Sequence, residues 1–514
     1  IIYLEDHNLK KTTMKHPLLV LLFTIVSLHV FGQSQNQEIY ASSITAEELK
    51  EKLYIYASDE FEGRETGLKG QKIAVEYLRD TYRKLGISAA KEDGNYFQNV
   101  PLLMVKTPKV SINIDGRLFK YYNDFISIND AESNIIKSNE IVYVGYGIED
   151  PRYNDYKDLE VAGKIVVAIG GEPKNEEGSY LISGSEEISK WSNGRQALSS
   201  KQNTAKKMGA KAFFLIDEPL FKRYAAYYEN RDKRGGESNM ALDVNQAPMY
   251  GFLISEAMGA VLLKTNSIEI DFDQISEPIT SENVAAMIKG SEKPDEYIIL
   301  SAHLDHVGVH DGEVFNGADD DGSGTVAILE IAEAFKAAQE KGQGPKRSII
   351  FLHVTAEEKG LLGSQYYTDY DPIVPLAQTV SNLNIDMIGR TDPKRLEGKR
   401  NYIYLIGSDK LSTDLHNISE EMNTKYTNIE LDYTYNDEND PNRFYYRSDH
   451  YNFAKNNIPI IFYFNGTHAD YHKASDTPDK IEYDLLENRT RLVFYTAWEL
   501  ANRDEAVIVD KAVE

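Results

Sequence analysis

Apolar positions recur along this chain with two different periods. From Glu282 onward, continuous apolar runs at Tyr297–Ala302, Ile349–Thr355, Leu383–Ile388 and Ile458–Phe464 alternate with helical patterns such as Thr325–Gln339. That alternation predicts a buried, mostly parallel sheet flanked by helices. Between Thr45 and Gly86, apolar and charged residues follow helical spacing, with Ile73, Ala74, Tyr77, Leu78, Tyr82 and Leu85 on one stripe. This predicts an amphipathic helix ending at Gly86. From about Val105 to Ser281 the pattern is instead one of short β-runs, among them Ile141–Val144 and Ile165–Ile169, with Thr204–Gly209 leading into Phe213–Ile216. That stretch reads as a small β-rich unit. No internal repeat or low-complexity tract interrupts the series.

At the amino terminus, Lys10, Lys11, Lys15 and His16 precede an apolar run from Leu18 to Val30, followed by Phe31-Gly32. A basic stretch, a short apolar run and a small residue are the parts of a signal peptide, with cleavage expected near Gly32. The run contains Thr24, Ser27 and His29 and falls short of the roughly 20 apolar residues that span a bilayer. Met14 could begin the leader by itself. The expectation is an exported protein, periplasmic or extracellular, without a membrane anchor after cleavage.

Composition narrows the chemistry. The 514 residues carry 56 Lys+Arg against 81 Asp+Glu, a formal charge of −25, which repels phosphate backbones and argues against a nucleic-acid partner. With no cysteine in the chain, disulfide frameworks, thiolate nucleophiles and Cys-based zinc sites are excluded. Any metal must be held by His and carboxylates. Of the 11 histidines, three lie in the leader and the other eight all fall between His303 and His472. Imidazole chemistry therefore belongs to the α/β half.

Five blocks in that half carry the chemistry. Ser301-Ala302-His303-Leu304-Asp305-His306 follows a buried strand, where ligands gather in α/β sheets, and Asp305 is two residues on and able to accept the His303 imidazole N–H. Gly317-Ala318-Asp319-Asp320-Asp321-Gly322-Ser323-Gly324 opens a helix, and its glycines suggest a backbone bent so that one carboxylate points into a site. A calcium-hand loop needs alternating acids and a distant Glu, a spacing absent here. Phe351–Glu358 ends a strand in two adjacent carboxylates, which a neighbouring cation would reconcile. Leu383–Ile388 sets Asp386 within an apolar strand, where an unpaired carboxylate is costly. The fifth is Asp470-Tyr471-His472-Lys473-Ala474-Ser475-Asp476-Thr477-Pro478.

Taken in this order, with Glu62-Gly63-Arg64 upstream and Arg447-Ser448-Asp449-His450 downstream, the blocks resemble the co-catalytic di-zinc aminopeptidases, metallopeptidase family 28. The match runs from about Glu47 to Ala501. The resemblance implies an α/β fold of the zinc-exopeptidase, phosphorylase/hydrolase-like kind, a mixed, mostly parallel sheet flanked by helices with an inserted β-rich protease-associated domain. The implied division is a leader at 1–32, an N-terminal part of the peptidase domain at 33–105, the insertion at 106–282 and the catalytic domain at 283–514. Also implied are two Zn2+ ions, one held by His303, Asp319 and Asp386, the other by Asp319, Glu358 and His472, with Asp319 as the bridge. Glu357 resembles the general base that takes a proton from a water between the ions, and Tyr471 the residue that helps stabilise the oxyanion. Asp305 would support His303. The expected substrates are peptides with a free N-terminus.

Other residues have plainer readings. His468 sits in a loop context that disfavours ligation, His353 reads as a core histidine, and His306 and His450 are equally compatible with structural and supporting roles. Arg443 and Arg447 are expected to pair with the acids at Asp437 to Asp440. If they instead clamp a substrate carboxylate, a carboxypeptidase becomes the competing activity. A glutaminyl-cyclase-like enzyme and a non-catalytic receptor-like homologue on the same scaffold are the remaining alternatives, and the retained ligand set argues against the latter.

Overall fold

Each of the four apolar runs becomes a strand whose residues are buried on both faces, and their order in space brings the chemistry-bearing ends together. The computed structural model describes residues 37–511 except 130, 236–237, 245–248, 266 and 439, so the expected leader lies outside the described residues. The chain divides into two compact units. One runs through Val100 and resumes at Thr280; the other spans Pro101–Ile279.

In the first unit, helices α1 (Ala46–Tyr56) and α2 (Lys69–Lys84) precede strands β1 (Ser276–Ile288) and β2 (Lys293–His303). Helix α3 (Gly324–Glu340) then leads to β3 (Arg347–Val354), α4 (Leu362–Asp369) and β4 (Thr379–Ile385). The remainder comprises β5 (Tyr402–Ile406), α5 (Thr413–Met422), β6 (Glu430–Asp432), α6 (His450–Ala454), β7 (Ile460–Phe464) and α7 (Tyr483–Asn502). The strands line up as β1-β3-β2-β4-β7-β5-β6. β2 pairs in parallel with both β3 (Ile299↔Ile350) and β4 (Ile299↔Asn382), and β4 pairs in parallel with β7 (Leu383↔Ile461). β1 and β5 run antiparallel to their neighbours β3 and β7. The sheet is mixed and mostly parallel, flanked by helices. Val326, Ile328 and Phe335 of α3 and Phe494 and Trp498 of α7 bury one face, where Phe335 stacks on Trp498 at 5.5 Å. Tyr367 of α4 and Phe453 of α6 close the other face over Ile299, Ile350 and Leu352.

The long helix expected over Thr45–Gly86 is broken. Between α1 and α2, Glu62, Gly63 and Arg64 all have positive φ (47°, 62° and 52°). A side chain at Gly63 is excluded, since a Cβ there would meet the carbonyl oxygens of Gly308 and Phe315 at 2.5 Å. The kink delivers Arg64 into the interior, where Nε donates to the Leu304 carbonyl and the two terminal nitrogens donate to those of Asn316 and Gly317. One buried guanidinium thus ties the segment after β2 to the loop before α3. Leaving such carbonyls without donors costs about 1–3 kcal/mol each.

The second unit holds a sheet ordered Phe125–Ser127, Tyr250–Ile254, Ala212–Ile216, Ile165–Ile169, Ile141–Tyr143, of which the last four strands are parallel. An antiparallel sheet of Arg117–Phe119, Lys109–Ile114, Ile268–Asp273 and Asn134–Ser138 accompanies it. Alongside these strands run helices Gly194–Lys207, Glu218–Lys233 and Glu256–Leu262, two of them longer than the β-run pattern suggests. Among the described residues, no helix is long and apolar enough to cross a membrane.

Candidate metal centre and active site

The parallel strands end on one side of the sheet, and each carries a motif residue there. His303 closes β2, Glu357 and Glu358 follow β3, Asp386 follows β4, and the loop after β7 holds His468, Tyr471 and His472. This is the crevice at the carboxyl ends of strands where α/β proteins bind ligands. Three non-glycine residues there adopt positive φ, Ala356 (56°), Met387 (57°) and His472 (53°).

Of the three consecutive acids before α3, the two outer ones are occupied with the protein itself. Asp319 accepts from the Gly389 N–H (2.6 Å) and the Asn465 amide (3.0 Å), and its Oδ2 lies 3.2 Å from His468 Nε2. Asp321 accepts backbone N–H groups of Gly324 and Met387 at 2.9 and 3.1 Å. Asp320 remains, and its backbone N–H and that of Asp319 are held by Asp476 Oδ2 at 3.3 and 3.0 Å. Its Oδ1 is 3.1 Å from His303 Nε2, and its Oδ2 is 3.1 Å from His472 Nε2. The bridging position expected for Asp319 therefore falls to Asp320. The peptide bond from Asp320 to Asp321 is cis, and Gly317, at φ 52°, starts the turn where a Cβ would strike the Asp320 carbonyl at 2.3 Å.

Around Asp320 the donors form two groups. His303, Asp320 and Asp386 make one, with Asp386 Oδ1 3.7 Å from His303 Nε2; His306, Asp320 and Glu358 make the other. His472 joins the second group, its Nε2 3.1 Å from Glu358 Oε2. His303, Glu358, Asp386 and His472 are thus brought together as expected, and Asp319 stands one layer behind.

The electrostatics suit a cation. Burial and the Asp320 charge oppose ionisation of Glu358, yet His306 and His472 hold its carboxyl at about 2. His472, with 37% of its side chain exposed, rises to about 10 under the pull of Asp320 and Glu358 against its desolvation. A field that keeps protons on imidazoles so strongly would equally favour a divalent ion in their place. Asp320 Oδ2 and Glu358 Oε1 are buried and, among the described residues, make no well-aligned hydrogen bond, so the donor set has lone pairs to offer. His and carboxylate groups with no cysteine fit zinc.

The supporting contacts differ from expectation in one respect. His303 Nδ1 faces the backbone carbonyl of Asp305 at 3.0 Å, whereas the Asp305 carboxylate is 4.0 Å away. That carboxylate instead accepts the Glu357 backbone N–H (3.1 Å) and the Thr66 hydroxyl (2.7 Å). The main chain fixes the His303 tautomer, and Asp305 positions Glu357. Ser448 donates to Asp386 Oδ2 at 2.6 Å, which accounts for the Arg447–His450 motif better than either histidine reading did. His450 itself bonds the Tyr445 carbonyl at 2.8 Å and burial lowers it to about 3; His353 meets the Tyr82 hydroxyl at 2.8 Å and is lowered by burial to about 3 as well. Both are structural. His468 is a partner of Asp319 outside the two donor groups.

Glu357 belongs to neither donor group. Burial pushes its carboxyl well above the usual range; His303 opposes the rise, and Glu358, Asp386 and Asp449 add to it. It lines a pocket with Asp320, Asp386 and Tyr471, whose apolar wall is Met387, Phe444, Phe462 and Phe464. Tyr471 stacks on His472 with ring centroids 3.9 Å apart, and its hydroxyl is kept protonated by burial and the surrounding acids. Arg447 also lines the pocket. Arg443 and Arg447 lie over the rings of Tyr446 and Phe444, and among the described residues neither pairs with Asp437, Glu438 or Asp440. The expected pairing with these acids is not formed.

Residues 283–497 match the model of peptidase family M28. Over that stretch the chain is similar to that family. It is 38% identical over 105 residues to a probable glutamate carboxypeptidase of Arabidopsis thaliana, covering 20% of the chain and 14% of that protein. To aminopeptidase YwaD of Bacillus subtilis it is 32% identical over 149 residues, covering 26% of the chain and 30% of the relative. The solved structure of a zinc aminopeptidase from Bacillus subtilis aligns over 91% of this chain and 98% of its own, at 18% identity and a TM-score of 0.47. The chain thus spans well under half the length of these two sequence relatives.

Proposed function

We propose that this protein is an exported di-zinc aminopeptidase that removes N-terminal residues from peptides, with residues 106–282 as an inserted protease-associated domain. The observation that carries the reading is Asp320, which turns one carboxylate oxygen to His303 and the other to His472 beside an uncommitted Glu357. His303, Asp320 and Asp386 would hold one zinc, and Asp320, Glu358 and His472 the other. Bound there, the ions supply polarisation of the scissile carbonyl and acidification of the attacking water. Glu357 accepts the proton of that water and passes it to the departing amine. Tyr471, held protonated against His472, donates to the developing oxyanion. The carboxylates of Glu357 and Asp386 in the pocket lining favour a free ammonium, and the wall of Phe444, Phe462 and Phe464 suits an apolar first side chain.

A panel of aminoacyl chromogenic amides, free and N-acetylated, tests this with and without a chelator. Free-amine substrates should be cleaved and acetylated ones spared, with activity lost to the chelator and restored by zinc. Equal cleavage of both forms would sink the aminopeptidase reading.

A second reading, carboxypeptidase action, is favoured by Arg447 alone, since it lines the pocket and pairs with no acid among the described residues. Under the leading reading, Arg447→Gln changes cleavage of free dipeptides and of their C-terminally amidated forms by similar factors. A charge-assisted contact to a terminal carboxylate is worth about 1.5–3 kcal/mol, roughly 10–150-fold. A loss of that size confined to the free-carboxylate substrates would promote the second reading.

A further inference from the structure

His306 is the one buried imidazole in the site for which the reading above has no use. It is fully buried, and among the described residues neither ring nitrogen makes a well-aligned hydrogen bond, Nδ1 facing only the carboxylates of Glu358 and Asp320. Such a group is costly unless something else satisfies it. The ring cannot turn away. Its backbone N–H donates to the Arg64 carbonyl at 3.3 Å, the residue bridges Glu65, and the ring packs so closely on Gly317 that a Cβ there would meet its Cγ and Cδ2 at 2.6 Å. In this fixed pose Nδ1 lies 2.9 Å from Glu358 Oε1 and 3.9 Å from Asp320 Oδ2. These are the two carboxylates that His472 also approaches, and the two imidazoles meet edge to face at 5.7 Å.

Zinc bound at about 2.0–2.2 Å by nitrogen and oxygen in a tetrahedron holds its ligand atoms about 3.4 Å from one another. The four histidine–carboxylate separations here, His306 Nδ1 to Glu358 Oε1 (2.9 Å) and Asp320 Oδ2 (3.9 Å) and His472 Nε2 to Asp320 Oδ2 and Glu358 Oε2 (3.1 Å each), bracket that value. We propose that His306 is a fourth protein ligand, through Nδ1, to the ion shared by Asp320, Glu358 and His472. The proposal rests on the zinc reading above. It makes the metal pair unequal, with four protein ligands to that ion against three to the ion of His303, Asp320 and Asp386. The ion with four protein ligands should then be the slower to leave.

X-ray absorption at the zinc edge counts imidazole ligands in the intact protein and needs no variant. Three imidazoles per two zinc ions are expected, from His303, His306 and His472. Two imidazoles per two ions would overturn the role of His306 and leave the metal reading standing; a protein that takes up no zinc would overturn both. Visible spectra of the cobalt-loaded protein provide the second test. His306→Ala and His306→Gln should both shift the ligand-field bands and release one metal ion far more readily to a chelator. If His306 only steadied Glu358 by a hydrogen bond, the Gln variant would keep the parent spectrum and chelator resistance, and that result also overturns the proposal.

Discussion

Replacing Glu357 by Gln is expected to lower kcat by about 10²–10⁴-fold, the usual worth of a general base, while both zinc ions stay bound. The two adjacent glutamates are separated by a backbone turn, with Ala356 at φ 56° just before them and the Glu357 N–H held by Asp305 Oδ1 at 3.1 Å. Glu358 is thereby turned to His306 and His472, whereas Glu357 lines the pocket beside Tyr471. Gln fills the same volume and keeps the backbone contact to Asp305. What it lacks is a carboxylate able to accept a proton. Turnover of a leucyl amide and zinc content by mass spectrometry, measured on the same preparation, decide the matter. Zinc lost along with activity would make Glu357 a ligand and exchange its role with that of Glu358.

The contrast between these two glutamates shows what could be read from residue order. Runs such as Ile349–Thr355 and Leu383–Ile388 announce strands because burial on both faces demands unbroken apolarity, and the strand ends then locate His303, Glu357, Glu358 and Asp386 together. Which of three neighbouring acids faces the site is a different kind of question. Asp319, Asp320 and Asp321 are chemically identical, and the choice is made by N–H groups far away in the chain, at Gly389, Met387 and Asn465. No periodicity encodes those. The same holds for Arg64, whose buried guanidinium depends on a left-handed break that helical spacing passes over, and for Ser448, visible only as a small polar residue until it meets Asp386. The β-runs between Ile141 and Ile216 likewise pair in parallel, and parallel strands require the crossovers that short apolar runs do not display.

The three acids also supply the sharpest mutational test. Asp320→Asn is expected to cost both zinc ions and to lower turnover by about 10³-fold or more, since a shared ligand is worth several kcal/mol of charge stabilisation. Asn retains one carbonyl oxygen and turns an NH2 toward either His303 or His472, both now 3.1 Å from a carboxylate oxygen, so one of the two groups loses its ligand outright. Asp319→Asn should behave differently. Its carbonyl oxygen can still accept the Gly389 N–H, but its NH2 would oppose the amide of Asn465 or the His468 ring, which now approach Oδ2 at 3.0 and 3.2 Å. The expected result is a destabilisation of about 1–3 kcal/mol, visible as a lowered Tm, with zinc stoichiometry intact. Metal content therefore separates the two variants even where both lose activity. Loss of zinc from Asp319→Asn with retention in a folded Asp320→Asn would return the bridge to Asp319, and with it the assignment that the family resemblance implies.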